Sequence, residues 1–129
     1  MEFSSTPLSG LYVINPQVFA DERGYFYESF NQEAFDKAGI SAEFVQDNQS
    51  LSQKGTLRGL HAQAPPFAQG KLVRVIQGEV LDVVVDIRKE SPTYGQQFSI
   101  HLSGENKTML WIPPGFLHGF ITLANDTIF

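Results

Sequence analysis

Apolar and polar positions alternate with a period of two through most of the chain, which is the signature of strands with one face covered. Lys71 to Ile76, then Gln77-Gly78, then Val80 to Arg88 reads as two strands joined by a tight turn, and so predicts a hairpin. Within its second strand Leu81, Val83, Val85 and Ile87 share one face, and Val80, Asp82, Val84 and Asp86 share the other. The first face is wholly apolar. The second, with carboxylates among valines, suits either a partly polar barrel lumen or a solvent face, the solvent face being the more ordinary of the two. Phe98, Ile100 and Leu102 alternate with Gln97, Ser99 and His101 in another half-buried strand. Met109 to Ile112 and Phe116 to Leu123 flank Pro113-Pro114-Gly115, and Thr127-Ile128-Phe129 has the pattern of a strand cut short.

Only one segment has a helical pattern. Asn31 is placed to cap Gln32 to Lys37, with Ala34 and Phe35 inward and Gly39 at the stop. The stretch from Gln63 to Ala68 carries two prolines and reads as an irregular excursion. Many short strands, frequent turns, one short helix and no internal repeat predict an all-β sandwich or small β-barrel of the jelly-roll kind. With 129 residues and no low-complexity linker, the chain is expected to form a single domain over 1–129.

Composition narrows the function classes. Cysteine is absent, which removes disulfide frameworks, thiolate zinc sites and cysteine nucleophiles. A net charge of −5, with nine scattered Lys and Arg, argues against a nucleic-acid surface, although a small anionic ligand fits. No apolar run approaches the roughly 20 residues of a membrane span, and the first residues lack the features of a signal peptide, so a cytoplasmic location is expected. The eleven Phe cluster with other aromatics around Phe19 to Phe30 and Trp111 to Phe120, and most of these rings are expected in the core.

Two histidines stand in distinctive surroundings, His61 in Leu57-Arg58-Gly59-Leu60-His61 and His118 in Pro113-Pro114-Gly115-Phe116-Leu117-His118. Gly55 six residues before His61, and Pro113-x-Gly115-x-x-His118, resemble the two signatures of the cupin superfamily. Metal-binding cupins place a second His two residues after the first and a Glu downstream. Here those places hold Gln63 and, before any Glu, Lys71, whose ammonium repels a divalent cation, so no metal is expected.

Without a metal, a buried neutral imidazole suits general-base work near neutral pH. Removing a proton beside a ketone builds charge on the carbonyl oxygen, and Lys71, with Arg58 or His118, is the candidate to receive it. Strict alternation sets Arg58 and His61 on opposite faces, unless a bulge at Gly59 turns both inward. In Asp21 to Glu28, Arg23 sits at a turn beside Tyr25, Phe26 and Tyr27, a combination able to hold a diphosphate and stack a base, or equally a solvated turn with its aromatics in the core. Gln46, Asp47 and Asn48 follow Phe44-Val45 and offer groups to read polar edges, or serve as plain turn residues.

Taken in order, Asp21-Glu22-Arg23-Gly24, Phe44 to Asn48, Leu57 to His61, Ala68 to Arg74, Gly78-Glu79-Val80, Val85 to Thr93 and Gly115 to Phe120 resemble the dTDP-4-dehydrorhamnose 3,5-epimerase family. The resemblance implies a cytoplasmic homodimeric cupin without metal or other cofactor, acting on dTDP-4-dehydro-6-deoxy-D-glucose, with no nucleic-acid or membrane partner. His61 corresponds to the base that abstracts the C5 and C3 protons, and Lys71 to the group stabilising the enolate, with His118 near. Arg23 and Arg58 match diphosphate contacts, and Glu28, Gln46, Asp47, Asn48, Phe19 and Phe26 match nucleotide and substrate contacts.

In such dimers the N-terminal arm reaches into the partner's site. The family's proton-donating Tyr, and the Asp that orients its catalytic His, correspond to positions beyond residue 129, so the chain is expected to be C-terminally truncated relative to the family. Asp82 is then the local carboxylate available to orient His61 or Lys71. The alternatives are a dTDP-sugar-binding cupin without turnover, or a 3-epimerase or ketoisomerase on the same substrate.

Overall fold

The computed structural model describes residues 1–129. Its strands are β1 (Glu2–Ser5), β2 (Tyr12–Asn15), β3 (Val18–Asp21), β4 (Gly24–Tyr27), β5 (Leu51–Ser52), β6 (Leu57–His61), β7 (Lys71–Arg74), β8 (Glu79–Asp86), β9 (Gln97–Ser103), β10 (Met109–Ile112), β11 (Phe116–Thr122) and β12 (Thr127–Ile128). One helix, α1 (Gln32–Lys37), stands between β4 and β5. Two four-stranded sheets, ordered β1-β2-β10-β7 and β6-β11-β8-β9, form the body, with β5–β12 and β3–β4 as small two-stranded additions. All pairings between these strands are antiparallel, as a jelly-roll sandwich requires.

The predicted helix forms as its caps dictate. The Asn31 side chain accepts from the Ala34 amide at 3.0 Å, and Gly39 follows the helix with φ +82°. Phe35, fully buried, joins Ile14, Ile40, Met109 and Trp111 in a small core. Strand β10 is therefore covered on both faces: Met109 and Trp111 belong to that core, while Leu110 and Ile112 enter the main one. The main core holds Val73, Val80, Val84, Leu102, Leu110, Ile112, Phe116 and Phe120, contributed by both large sheets.

The predicted hairpin does not form. Strand β7 pairs with β10 in one sheet, whereas β8 pairs with β11 and β9 in the other. The residues between them, Val75 to Gly78, are a corner, because the backbone of Ile76 and Gln77 is taken by the chain's last strand. The Ile76 amide donates to the Ile128 carbonyl at 2.8 Å, and the Ile128 amide donates to the Gln77 carbonyl at 2.9 Å.

The faces of β8 are also corrected. Val80, Asp82, Val84 and Asp86 are the buried face, while Leu81 and Ile87 on the wholly apolar face are 38% and 39% exposed. Burying the two carboxylates is possible because each meets a donor inside the protein. Asp82 meets His118, while Asp86 accepts from Arg88, Ser91 and Thr93.

The aromatic expectation splits in two. Trp111, Phe116 and Phe120 are core residues, but Phe19, Tyr25 and Phe26 are largely exposed on the β3–β4 hairpin. That hairpin is tied to the body at its base, where Arg74 donates to the Tyr27 hydroxyl at 2.8 Å and the Lys107 ammonium lies 3.9 Å from the Tyr25 ring centre.

Candidate active site

A cleft of about 560 Å³ opens at one end of the sandwich. Its walls include the segment 43–50, β6, the start of β7 and the middle of β11. Arg58, His61, Lys71 and His118 all line it. A smaller cavity of about 230 Å³ shares His61, Gln69, Lys71 and His118 with the cleft and adds Gln63, Ile112 and Phe116.

Of the two arrangements the sequence left open, the bulge at Gly59 is the one that forms, and it brings Arg58 and His61 together. Along the β6–β11 ladder His118 faces His61 and Phe120 faces Arg58, so Gly119 alone stands opposite both Gly59 and Leu60. Positions 118 and 120 lie on one face of β11, and their partners on β6 therefore turn to that same face. Gly59 takes φ +97°, which suits glycine, and a Cβ there would sit 2.5 Å from the His118 carbonyl oxygen. A Cβ on Gly119 would sit 2.7 Å from the Arg58 carbonyl oxygen. Two glycines thus let the strands approach closely at the one point where alternation is broken.

Burial rises steadily across the sheet. His61, on edge strand β6, is exposed, which corrects the expectation of a buried imidazole; an edge strand has a neighbour on one side only. His118, on β11, is 5% exposed, and Asp82, on β8, is fully buried. The Nε2 of His118 and the Oδ2 of Asp82 are 2.8 Å apart, an ion-pair-capable hydrogen bond that sequence reasoning had assigned to His61 or Lys71 instead. On a pleated strand Asp82 is diagonal to His118 and two strands away from His61, so only the former lies within its reach.

Charge in this region is set mainly by loss of solvent. Burial pushes the Asp82 carboxyl up from its ordinary range, against the opposing hydrogen bond and charge of His118 and the charge of Lys71. Burial pulls the Lys71 ammonium down from its usual 10.5, and the Asp82 charge works the other way. Arg58 is held by a hydrogen bond from its Nε to the Ser52 hydroxyl at 3.0 Å, which leaves its two terminal amino groups without a protein partner.

The segment 43–50 has no regular structure but is fixed at both ends. Near its start Phe44 packs edge-on against Trp111, with ring centres 5.9 Å apart. At its end Ser50 exchanges two backbone hydrogen bonds of 3.0 Å with Phe129. Gln46, Asp47 and Asn48 therefore stand in the cleft wall. Phe129, which the sequence did not single out, also lines the cleft and stacks on Phe120 and His118, with ring centres 4.1 and 6.0 Å apart.

Four sequence-selected residues lie elsewhere. Phe19, Arg23 and Phe26 surround a separate shallow depression on the β3–β4 hairpin, and Glu28 lies just beyond it, exposed. None of the four lines the cleft. Arg23 is engaged by Asp21, with Nη2 2.6 Å from Oδ2. No helix is long and apolar enough to cross a membrane.

Comparison with known proteins places this geometry. A relative from Shigella flexneri, a dTDP-4-dehydrorhamnose 3,5-epimerase, is 55% identical over 130 residues, covering 100% of this chain and 72% of its own length. The crystal structure of the Legionella pneumophila enzyme in complex with dTDP-4-keto-L-rhamnose superimposes with a TM-score of 0.94 at 52% identity, over 98% of this chain and 68% of that one. The Bacillus anthracis enzyme, with TDP and pyrophosphate bound, gives a TM-score of 0.96 at 44% identity, over 98% of this chain and 73% of that one. The family model for dTDP-4-dehydrorhamnose 3,5-epimerase matches residues 5–129. With sequence, fold and matched span in agreement, the chain belongs to the dTDP-4-dehydrorhamnose 3,5-epimerase family.

Proposed function

We propose that the chain epimerises a dTDP-linked 4-keto-6-deoxy sugar at C3 and C5, with His61 as base and Lys71 and His118 as the groups facing the enolate. The observation that carries this reading is the convergence of His61, Lys71 and His118 on one cleft through the Gly59 bulge. The exposed His61 imidazole takes the proton from a carbon beside the keto group, and the electron pair moves onto the C4 oxygen. The Lys71 ammonium supplies the positive charge that this oxygen needs, within a partly desolvated site where such charge acts strongly. A proton delivered from solvent water to the opposite face of the same carbon inverts it, exposed His61 passes its own proton to solvent, and the same steps serve the second carbon.

Arg58, with its terminal amino groups free, is positioned for the diphosphate. Gln46, Asp47 and Asn48 offer amide and carboxylate edges to sugar hydroxyls or base. The protein works as a homodimer in this reading. The β3–β4 hairpin carries Phe19, Arg23 and Phe26 away from its own cleft, as an arm serving a partner's cleft requires. Glu28 travels with that arm. Leu81, Ile87, Leu57 and Leu60 give the outer face of the second sheet an apolar surface suited to a second copy.

The test is solvent deuterium exchange at C3 and C5 of the dTDP-4-keto sugar, followed by NMR. His61→Ala is expected to lose exchange and to retain dTDP binding, and exchange that persists in this variant refutes the assignment of the base. Binding of dTDP with no exchange in the unaltered chain selects the binding-protein alternative. Exchange at C3 alone selects the 3-epimerase alternative. A mass from light scattering equal to one protomer refutes the dimer.

A further inference from the structure

Asp82 is a buried charged group that the proposed chemistry leaves without a task and, unlike the equally buried Asp86, it carries an oxygen with no partner. It is fully buried on the inner face of β8, next to a cavity bordered by Lys71 and His118. One of its oxygens, Oδ2, holds His118 Nε2 at 2.8 Å, and the other, Oδ1, is buried with no hydrogen-bond partner. An unpartnered carboxylate oxygen away from water costs on the order of 1–3 kcal/mol or more, so its retention calls for a compensating attraction. The nearby charges that supply one are His118 and Lys71.

The hydrogen bond to Asp82 also commits the ring of His118. With Nε2 bound to a carboxylate, Nδ1 is the nitrogen left for the cavity, and it makes no hydrogen bond within the protein. We infer that Asp82 is the positioning counter-ion of the site: bonded to His118 Nε2 it leaves Nδ1 as the nitrogen for the cavity that Lys71 also borders, and its buried negative charge is the counterpart of the Lys71 ammonium across that cavity. Asp82 touches no substrate and acts through these two residues. Its effect on Lys71 is electrostatic and opposes the pull of burial, which by itself favours the neutral amine.

Other charged groups border the adjoining cleft. Arg58 and His61 face it from β6, His118 from β11, and Glu43 and Asp47 from the irregular segment. Ile100 on β9 is the residue paired with Asp82 on its other side and adds no charge. All of these remain unchanged when Asp82 is altered, so a variant at this position isolates its own contribution.

The experiment compares the unaltered chain with Asp82→Asn, which keeps the shape and removes the charge, with folding checked by circular dichroism. Competitive acylation of Lys71 as a function of pH reports its titration. In Asp82→Asn the Lys71 midpoint is expected to move down, and proton exchange at C3 and C5 to slow about 10- to 100-fold with KM little changed, as for the loss of one charge stabilising an oxyanion.

The reciprocal arm is Lys71→Met, in which the Asp82 carboxyl, followed by 13C NMR, is expected to titrate higher than in the unaltered chain. An unmoved Lys71 midpoint in a folded Asp82→Asn protein overturns the inference. Should Asp82→Asn fail to fold, an unmoved Asp82 titration in Lys71→Met overturns it alone. The kinetic consequence rests on the proposed epimerisation, whereas the two titrations need no substrate. Absence of exchange in the unaltered chain therefore refutes the activity and leaves the Asp82 inference to be decided by the titrations.

Discussion

Replacing Gly59 with alanine attacks the site through its backbone. Two costs add. The backbone at φ +97° lies where an L side chain is strained, at about 1–2 kcal/mol. The new Cβ also falls 2.5 Å from the His118 carbonyl oxygen and 2.9 Å from the Gly119 Cα, both backbone atoms that cannot rotate away. Opening the β6–β11 gap to ordinary contact is an overpacking strain of about 1–3 kcal/mol more.

The expected loss is therefore about 2–5 kcal/mol, a large share of the roughly 5–15 kcal/mol that holds a domain folded. Gly95 provides the control, because its φ is +81° and a Cβ there meets nothing within 4 Å. Gly95→Ala is expected to cost only the backbone part. Urea unfolding of both variants, with m unchanged, measures the difference directly. If Gly59→Ala is no more costly than Gly95→Ala, the close approach of β6 to β11 is not what holds the bulge, and the explanation of why Arg58 and His61 share a face fails with it.

Phe35→Ala, which empties the centre of the small core beneath α1, is expected to cost about 3–5 kcal/mol in the same assay, and a loss under 1 kcal/mol contradicts its packing role. Asp86 is held well below the ordinary carboxylate range, first by Arg88 and then by Ser91 and Thr93. A depressed carboxyl stabilises the fold fully above its unfolded value of about 4 and loses that contribution as pH falls toward the folded value. Asp86→Ala is thus expected to cost about 3–5 kcal/mol at pH 7, with less dependence on acid below pH 4 than the parent; equal acid sensitivity argues against the network. For Lys71, the alkaline limb of the exchange profile is expected below the ordinary lysine value of 10.5, since burial lowers it, and a limb at or above 10.5 removes Lys71 from the chemistry.

What the sequence revealed depended on how local the determinant was. The helix was legible because Asn31, Phe35 and Gly39 each act within a few residues of one another. His61, Lys71 and His118 were legible as a group because their flanking glycines and prolines recur in a known order, and the bulge because a glycine between two chemically useful residues needs a reason. The hairpin expected at Gln77-Gly78 does not form, since the competing partner of Gln77, Ile128, lies 51 residues away in the chain. The faces of β8 were ambiguous for a related reason. Whether Asp82 and Asp86 can be buried depends on His118 and on the Arg88, Ser91 and Thr93 cluster, and alternation along one strand is blind to both. The place of Arg23 was legible only as chemistry: a turn arginine among aromatics was found, but on a hairpin remote from the cleft of the same protomer.

The register of β2 has a bearing on how the protein is made. Its inward neighbour is β10, with Ile14 opposite Met109 and Val13 opposite Leu110. At the ribosome, the β1–β2 ribbon emerges early and must wait, its apolar side chains unprotected, until nearly the whole of the chain described here has been synthesised. Pairings this distant in sequence make for slow acquisition of structure, and the waiting ribbon is where a nascent chain would be captured by a chaperone or by another nascent copy.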